Sequence, residues 1–204
     1  EHEPPARAAH LGPDVALVPP GGFGPALDAL GGRVAVDKGS APVWVSDRLA
    51  AAGAEVVWER DPCILPKATK TAAEIAGTRA AHLRDGAAMA RFLAWLDQTA
   101  PDGGLSEIDV VRRLEGIRAA GGEMRDISFD TICGAGPNGA IVHYRVTEAS
   151  NRAVVPGEIL LVDSGAQYPD GTTDITRTVA IGPVPPEAVR PFPLVPEGVI
   201  ALSP

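Results

Sequence analysis

Two aspartates, Asp163 and Asp174, have a spacing that would let them share a divalent cation. Asp163 follows an apolar run, Ile159 to Val162, that is typical of a β-strand, and Asp174 begins a second, threonine-rich strand. Residues 164–171 between them include the serine, glycine, proline and aspartate typical of turns. Like charges that face each other across a hairpin destabilise it, and a cation between them removes that penalty. The pattern predicts half of a metal site with oxygen ligands, which suit Mn²⁺ or Mg²⁺, or Zn²⁺ or Co²⁺ when imidazole is added.

The centre of the turn decides how the two carboxylates are placed. A turn folded about Tyr168 and Pro169 sets them side by side, whereas a turn centred on Asp170 staggers them, and the sequence leaves both open. Because four consecutive apolar residues precede Asp163, we expect its strand to be covered on both faces and its carboxylate to be partly buried.

A rival interpretation comes from the triplet Asp163-Ser164-Gly165. It resembles the active-site turn of aspartic proteases, in which two aspartates share a proton. The chain has only one DSG or DTG triplet, so this interpretation requires a homodimer.

Composition excludes some classes of partner. The 204 residues carry a net charge of −8, which argues against nucleic acid and against anionic membranes. No apolar run approaches membrane-spanning length. The two cysteines, Cys63 and Cys133, lie far apart in the sequence, which favours reduced thiols and a cytoplasmic location.

The N-terminal part alternates strands and helices. The predicted elements are strands at Val15–Val18, Arg33–Asp37 and Glu55–Trp58, and helices at Phe23–Leu30 and Ser46–Ala52. Such alternation is typical of parallel βαβ units, so this part is predicted to be the end of an α/β domain. Proline-containing pairs at 61–62 and 65–66 mark a linker.

Two helices should open the second part. The T-x-x-E capping box of Thr71 and Glu74 predicts a helix from Ala72 to about Asp97, and Ser106 with Asp109 caps a second one. In contrast, the prolines near the end of the chain predict that no helix forms there; they are Pro191, Pro193 and Pro196.

Three of the four histidines are assigned no ligand role. His2 and His10 lie in a proline-rich opening and are predicted to be solvated. His82 falls on the predicted apolar stripe of the first long helix, where packing is the commoner role.

The fourth histidine, His143, follows a glycine-rich stretch. Gly134, Gly136 and Gly139 formally match G-x-G-x-x-G, but a strand-like segment, residues 140–144, follows where a dinucleotide site needs a helix. The loop is therefore predicted to line a cleft and to place His143, on the strand that leaves it, as a proton donor to substrate.

These stretches together resemble the Xaa-Pro aminopeptidase (aminopeptidase P) group of metallopeptidases, which have the pita-bread fold. The resemblance covers residues 64 to about 182, and its motifs are LPK at 65–67, HLRDG at 82–86, FLAWL at 92–96, SFDTICGAGPNGAIVHYR at 128–145 and LLVDSGAQYPDGTTDITRT at 160–178. It implies an α/β remnant of a creatinase-type N-terminal domain at 1–63, followed at 64–204 by the N-terminal half of an α+β pita-bread domain.

The resemblance also implies site roles. Asp163 and Asp174 fall on two of five metal ligands, with Asp174 bridging two divalent ions, Mn²⁺ by preference and Zn²⁺ or Co²⁺ as alternatives. His143 falls on the histidine that contacts substrate near the scissile bond. The implied reaction removes the N-terminal residue from peptides with proline in second position.

The remaining family ligands, one histidine and two glutamates, have no counterpart after Thr178. The only glutamates there, Glu187 and Glu197, lie in proline-rich sequence. The site in this chain is thus expected to be incomplete and its activity weak or absent. Its hairpin is expected to expose an adhesive apolar edge made of Leu160, Val162, Ile175 and Val179. A non-catalytic pita-bread fragment or binding protein is the alternative, the aspartic protease is less favoured, and a homodimer is left open.

Overall fold

The computed structural model describes residues 10–203, and the chain forms two compact units. The first unit ends at Thr69 and the second begins at Lys70, later than the predicted boundary after residue 63. His10 is exposed, and His2 lies outside the described residues, so its lack of a ligand role stays a prediction.

The first unit contains a parallel two-stranded sheet with helices before, between and after its strands. Its elements are α1 Phe23–Asp28, β1 Arg33–Val36, α2 Val43–Ala51, β2 Glu55–Trp58 and α3 Ile64–Ala68. Strands β1 and β2 pair in parallel, as the alternation of strands and helices predicts. The apolar core of this unit consists of Leu27, Val36, Leu49 and Ala54.

The predicted strand at Val15–Val18 is wrong. The segment has no regular secondary structure, and Val15 and Val18 are 49% and 59% exposed. It is bounded by Pro13 and by the pair Pro19-Pro20, and proline cannot donate a hydrogen bond to a strand ladder. Within the described residues, the sheet of this unit has two strands instead of three.

Two packed helices, α4 Ala72–Thr99 and α5 Glu107–Ala119, begin the second unit. Both predicted capping boxes are present: Thr71 exchanges hydrogen bonds with Glu74, and Ser106 does so with Asp109. Their inner faces contribute buried side chains to the main core, among them Met89, Phe92, Leu96, Val110 and Leu114.

His82 does not lie on the buried stripe of α4, contrary to the prediction. It is exposed, and its ring Nδ1 lies 2.8 Å from the carbonyl oxygen of Thr78. The buried stripe instead runs through Ala81, Asp85 and Ala88. The error arose because a fully buried charged residue, Asp85, was not counted as part of that stripe.

Two three-stranded antiparallel sheets complete the second unit. One has the order β4 Ile132–Ala135, β5 Ile159–Ser164 and β8 Ile175–Ala180, and the other has the order β3 Asp126–Ile127, β6 Ala166–Tyr168 and β7 Gly171–Thr172. Along β5, Leu160 and Val162 are fully buried in the core formed with the helices, while Leu161 and Asp163 are half-buried on the other face. The predicted exposure of Leu160 and Val162 is therefore wrong, because α4 and α5 supply the cover. Ile175 and Val179, in β8, are half-buried and pack against the same core.

The proline-rich end is helical, contrary to the prediction. Helix α6 spans Pro186–Val189 and helix α7 spans Pro191–Leu202. Pro191 and Pro193 fall in the first turn of α7, where backbone N–H groups have no partner within the helix. Pro196 lies inside the helix and removes one such bond.

The two cysteines should differ sharply in reactivity. Cys63 is exposed, whereas Cys133 is fully buried in β4, and burial raises the pKa of its thiol well above the usual range. Because the thiolate is the reactive form, we expect a thiol reagent such as DTNB to modify one cysteine in the native protein and both after denaturation. Rapid native modification of both thiols would contradict the packing of β4.

Candidate metal centre

The hairpin that carries the two aspartates is staggered. Strands β5 and β8 pair with Asp163 opposite Thr176, which places the centre of the hairpin between Pro169 and Asp170. Asp174 is consequently two residues out of register with Asp163. Of the two arrangements left open by the sequence, the staggered one is present, although its centre falls just before Asp170.

One open cleft of about 320 Å³ is lined by Asp163, Asp174 and His143. Asp163 is half-buried, as predicted, and Asp174 and His143 are exposed. One oxygen of Asp163, Oδ1, accepts a hydrogen bond of 2.8 Å from the hydroxyl of Thr176, which fixes the carboxylate on the cleft side of the sheet. The three residues singled out from the sequence are thus brought together.

Gly165 lets the hairpin pass from one sheet to the other. It separates β5 from β6, and a Cβ at this position would lie 1.9 Å from the carbonyl oxygen of Thr173 and 2.2 Å from the hydroxyl of Ser128. Any side chain would push these segments apart. The glycine of the DSG triplet is thus required by its close packing against Thr173 and Ser128.

His143 reaches the cleft from a turn, so the predicted strand at residues 140–144 is wrong. A 3-10 helix at Gly136–Ala140 follows β4, and a further turn closes with a 3.2 Å hydrogen bond from the Tyr144 amide to the Ile141 carbonyl. His143 has a φ of 55°, a left-handed conformation that is uncommon and costly for a residue with a Cβ. This turn is what aims His143 into the cleft and Tyr144 into the interior.

Asp130 and Arg145 also line the cleft, and the sequence motifs did not point to them. Their side chains form an ion pair at its rim, where both are largely exposed. The signal that could have found them is their position at the two ends of the glycine-rich stretch, because a loop that delivers His143 must also bring its flanks to the same wall.

Glu107, at the start of α5, holds the glycine-rich loop in place through hydrogen bonds. It is fully buried, and its carboxylate accepts hydrogen bonds from the amide of Ala135 at 2.7 Å and the amide of Arg152 at 3.1 Å. The side chain of Asn138 and the hydroxyl of Tyr144 each donate at 2.9 Å. One carboxylate therefore fixes the end of β4, the 3-10 helix and the residue next to His143.

A second buried carboxylate, Asp85, holds the hairpin against the helices. Arg118 donates to it from Nε at 2.7 Å and from Nη2 at 3.0 Å, and both side chains are fully buried. The hydroxyl of Tyr168, in β6, donates to the same carboxylate at 2.9 Å. Burial, and then the hydrogen bond to Asp85, raise the pKa of Tyr168 to about 12.

The turn that precedes Asp174 is also attached to α4. Arg84 forms an ion pair with Asp170 and lies over the Tyr168 ring, with its guanidinium carbon 5.2 Å from the ring centroid. Gly77 contacts the same turn so closely that a Cβ there would lie 2.3 Å from the Asp170 carbonyl oxygen. The position of Asp174 thus depends on the first long helix.

Asp163 and Asp174 have the donor chemistry of a divalent metal site, with two carboxylates directed at one solvent-filled cleft. Among the described residues, no three histidine, cysteine, aspartate or glutamate side chains are close enough to hold an ion together. The described residues therefore offer two candidate ligands and no third side chain of these types beside them.

The whole of this site lies within one recognised sequence region. The profile of metallopeptidase family M24 matches residues 76–202, which include His143, Asp163 and Asp174. This chain belongs to the M24 family. The matched region covers most of the second unit, which is the part of the chain with the two packed helices and the antiparallel sheets.

M24 relatives in fungi match most of the chain. A protein of Aspergillus clavatus, named as a probable Xaa-Pro aminopeptidase P, is 39% identical over 211 residues, which cover 98% of this chain and 32% of that protein. An Aspergillus flavus protein of the same name is 44% identical over 146 residues, or 71% of this chain and 22% of that one. The chain thus spans about a third of the length of the curated relatives it matches.

Solved structures of the M24 type resemble the chain in fold. X-prolyl aminopeptidase from Caenorhabditis elegans, described as a cytosolic enzyme with a di-nuclear active site, has a TM-score of 0.60 and 37% identity, over 65% of this chain and 22% of that one. Prolidase from Pyrococcus furiosus has a TM-score of 0.68 at 18% identity, over 86% of this chain and 50% of that one, which shows a shared fold only. The pita-bread fold expected from the sequence is confirmed.

Proposed function

We propose that the protein is a metal-dependent aminopeptidase that releases the N-terminal residue from peptides with proline in second position. The observation that carries this proposal is the convergence of Asp163, Asp174 and His143 on one cleft in a member of the M24 family. The Xaa-Pro aminopeptidase names of its relatives supply the substrate class.

In this proposal Asp163 and Asp174 would hold two divalent ions. Mn²⁺ is the preferred metal, with Zn²⁺ or Co²⁺ as alternatives, and ions of this kind lower the pKa of bound water and polarise a peptide carbonyl. His143, exposed at the cleft, donates a proton or a hydrogen bond to substrate near the scissile bond. Proline has no N–H and a fixed φ, so a pocket shaped to its ring can select it.

Three further features belong to the same proposal. The first unit is the C-terminal part of a creatinase-type domain, which its parallel βαβ arrangement supports. The protein acts in the cytoplasm, supported by the free thiols of Cys63 and Cys133 and by the cytosolic C. elegans relative. A homodimer is the oligomeric state to test. No helix in the described part of the chain could span a bilayer.

One observation favours the non-catalytic alternative. The described residues supply two metal-binding carboxylates and no third ligand beside them, so any ion would be weakly held. Membership of the M24 family, in contrast, favours the metallopeptidase over the aspartic protease that the DSG triplet suggests.

Metal binding tests the proposal directly. We expect equilibrium dialysis to show weak Mn²⁺ binding that falls by about tenfold or more in Asp174→Asn, because a carboxylate ligand is lost. Asp97→Asn, an exposed aspartate on α4, is the matched control and should bind Mn²⁺ normally. Equal binding in all three proteins would remove Asp174 from the metal site.

Cleavage assays separate the candidate functions. We expect Mn²⁺-dependent, chelator-sensitive release of the first residue from an Ala-Pro peptide, well below about 1 s⁻¹, and none from its Ala-Ala counterpart. No release at millimolar Mn²⁺ would support the non-catalytic protein. Cleavage at acid pH that pepstatin inhibits would support the aspartic protease, and turnover above about 1 s⁻¹ would contradict the partial site.

The role of His143 can be tested separately from metal binding. In His143→Ala we expect turnover to fall by about tenfold to a hundredfold, the value of one hydrogen bond involving a charged group, while bound Mn²⁺ is unchanged. His82→Ala, on the exposed face of α4, controls for the loss of an imidazole. Loss of Mn²⁺ from His143→Ala would make His143 a metal ligand instead.

A further inference from the structure

A short hairpin formed by β6 and β7 lies just before Asp174 in the chain. Its strands share two residue pairs, and the pair next to the turn joins Tyr168 to Gly171. Strand β3 adds two pairs to β6, and β7 is an edge strand among the described residues. A two-stranded hairpin of this length is marginally stable in water on its own. Residues 168–171, here called the hairpin tip, therefore depend on support from another element.

The hairpin tip rests on one face of α4. That face carries Gly77, Ala81 and Arg84, at the helical spacing i, i+4 and i+7. A Cβ on Gly77 would overlap the carbonyl oxygen of Asp170, and a Cβ on Gly171 would lie 3.0 Å from the Cβ of Ala81. The absence of side chains at both glycines thus lets the backbone of the tip lie directly on the helix.

Arg84 makes the charged contacts between the helix and the tip. Its Nη2 donates to the carboxylate of Asp170, and its guanidinium carbon lies 5.2 Å from the centroid of the Tyr168 ring. The side chain is 29% exposed, so both contacts are partly shielded from water. A planar guanidinium can pair with a carboxylate and stack on a ring at the same time. Arg84 therefore holds the tip at both of these residues.

Thr173 connects the hairpin tip to Asp174. It is fully buried, its amide donates to the Ala166 carbonyl at 2.9 Å, and its hydroxyl accepts from the Ala166 amide at 3.0 Å. These bonds tie the strand that leaves the tip to the strand that enters it. The short hairpin and Thr173 should therefore move as one piece, and Asp174 is the first residue after that piece.

We propose that Arg84 is a positioning residue for Asp174, and so contributes to the metal centre without contacting an ion. This inference rests on the proposed role of Asp174 as a metal ligand. Without the contacts of Arg84, the hairpin tip could shift on α4, and the carboxylate of Asp174 would sample positions that do not suit an ion. Partners that orient a metal ligand are commonly worth tenfold to a hundredfold in affinity, and a partner that acts through several residues should be worth less.

The sign of the change in Mn²⁺ affinity distinguishes positioning from charge. We expect both Arg84→Gln and Asp170→Asn to weaken Mn²⁺ binding in equilibrium dialysis, each by about threefold to tenfold. Charge attraction alone predicts opposite signs, because loss of a positive charge favours a bound cation and loss of a negative charge disfavours it. Unchanged or stronger binding in Arg84→Gln would overturn the proposal.

Three further variants complete the binding test. The double variant Arg84→Gln, Asp170→Asn should bind Mn²⁺ no more weakly than Arg84→Gln, because the same contact is removed in both, and additive losses would contradict this. Arg79→Gln makes the same charge change at an exposed position of α4 and should not weaken binding. If Asp174→Asn weakens binding and Arg84→Gln does not, only the positioning role is wrong. If Asp174→Asn has no effect, the proposed metal site fails as well.

Hydrogen exchange tests the positioning role in the metal-free protein. The amide of Thr173 should exchange faster in both Arg84→Gln and Asp170→Asn than in the unmodified protein, because the hairpin tip is less firmly held. Amides in the middle of β5, which is paired on both sides, should be unchanged and so show that both variants are folded. Equal exchange at Thr173 in all three proteins would show that the tip is held without Arg84 and would overturn the proposal.

Discussion

Replacing Asp85 with alanine is expected to destabilise the second unit by about 3–5 kcal/mol, because removing one partner of a buried ion pair leaves the other charge uncompensated. Arg118 is fully buried, and two of its nitrogens donate hydrogen bonds to Asp85, at 2.7 and 3.0 Å. The hydroxyl of Tyr168 loses its acceptor in the same variant. The loss therefore reaches β6 and the hairpin as well as the two helices.

Urea unfolding followed by circular dichroism measures this loss, and hydrogen exchange at β6 and β7 shows whether the hairpin opens with it. Asp97→Ala removes an exposed aspartate from the same helix and should change the free energy of unfolding by less than about 0.5 kcal/mol. The double variant Asp85→Ala, Arg118→Met should recover part of the stability, because the unpaired charge is gone. A loss below about 1 kcal/mol for Asp85→Ala alone would mean that Arg118 finds another acceptor.

The features predicted correctly from the sequence are those set by neighbouring residues. The capping boxes at Thr71 and Ser106 involve partners three residues away, and both helices begin where these boxes predict. The antiparallel hairpin likewise follows from one apolar strand, one turn and one threonine-rich strand. The register of the hairpin could not be predicted from the sequence, because several turn residues could occupy its centre.

Two of the failed predictions depend on partners that are distant in sequence. The segment Ala140 to Tyr144 has the composition of a strand, but the Tyr144 hydroxyl binds Glu107, 37 residues earlier, and the chain turns to allow it. Arg118 lies 33 residues from Asp85, so the helical pattern alone gives no sign that Asp85 is buried. The spacing of apolar residues shows which face of a helix is apolar. It does not show whether a charged residue is buried beside an oppositely charged partner.

The candidate metal site could be predicted only in part. Asp163, Asp174 and His143 were singled out because carboxylates and imidazoles have recognisable chemistry, and all three line one cleft. Asp130 and Arg145 were missed because only the fold brings them together as an ion pair at the cleft rim, although both flank the glycine-rich stretch. Glu107 was missed because its hydrogen bonds join segments that only the fold brings together.

Glu107→Gln is expected to lower the free energy of unfolding by about 2–4 kcal/mol, although the side chain keeps its shape. Oε1 of Glu107 accepts from the Ala135 amide, and Oε2 accepts from the Arg152 amide. A glutamine has one oxygen and one NH₂ group, so in either orientation its NH₂ faces a backbone N–H that needs an acceptor. One buried donor is therefore left unpaired, and the charge-assisted bonds become neutral ones.

The matched control is Glu115→Gln, on the same helix. Glu115 accepts one hydrogen bond, from the Thr131 hydroxyl at 2.9 Å, and a hydroxyl can rotate to suit an amide oxygen, so we expect a change of less than about 1 kcal/mol. In Glu107→Gln the amides of Ala135 and Arg152 should exchange with solvent much faster, and the ring resonances of His143 should broaden as its turn loosens. Unchanged exchange at both amides, with full stability, would show that His143 is held by the turn itself and not by the carboxylate beneath it.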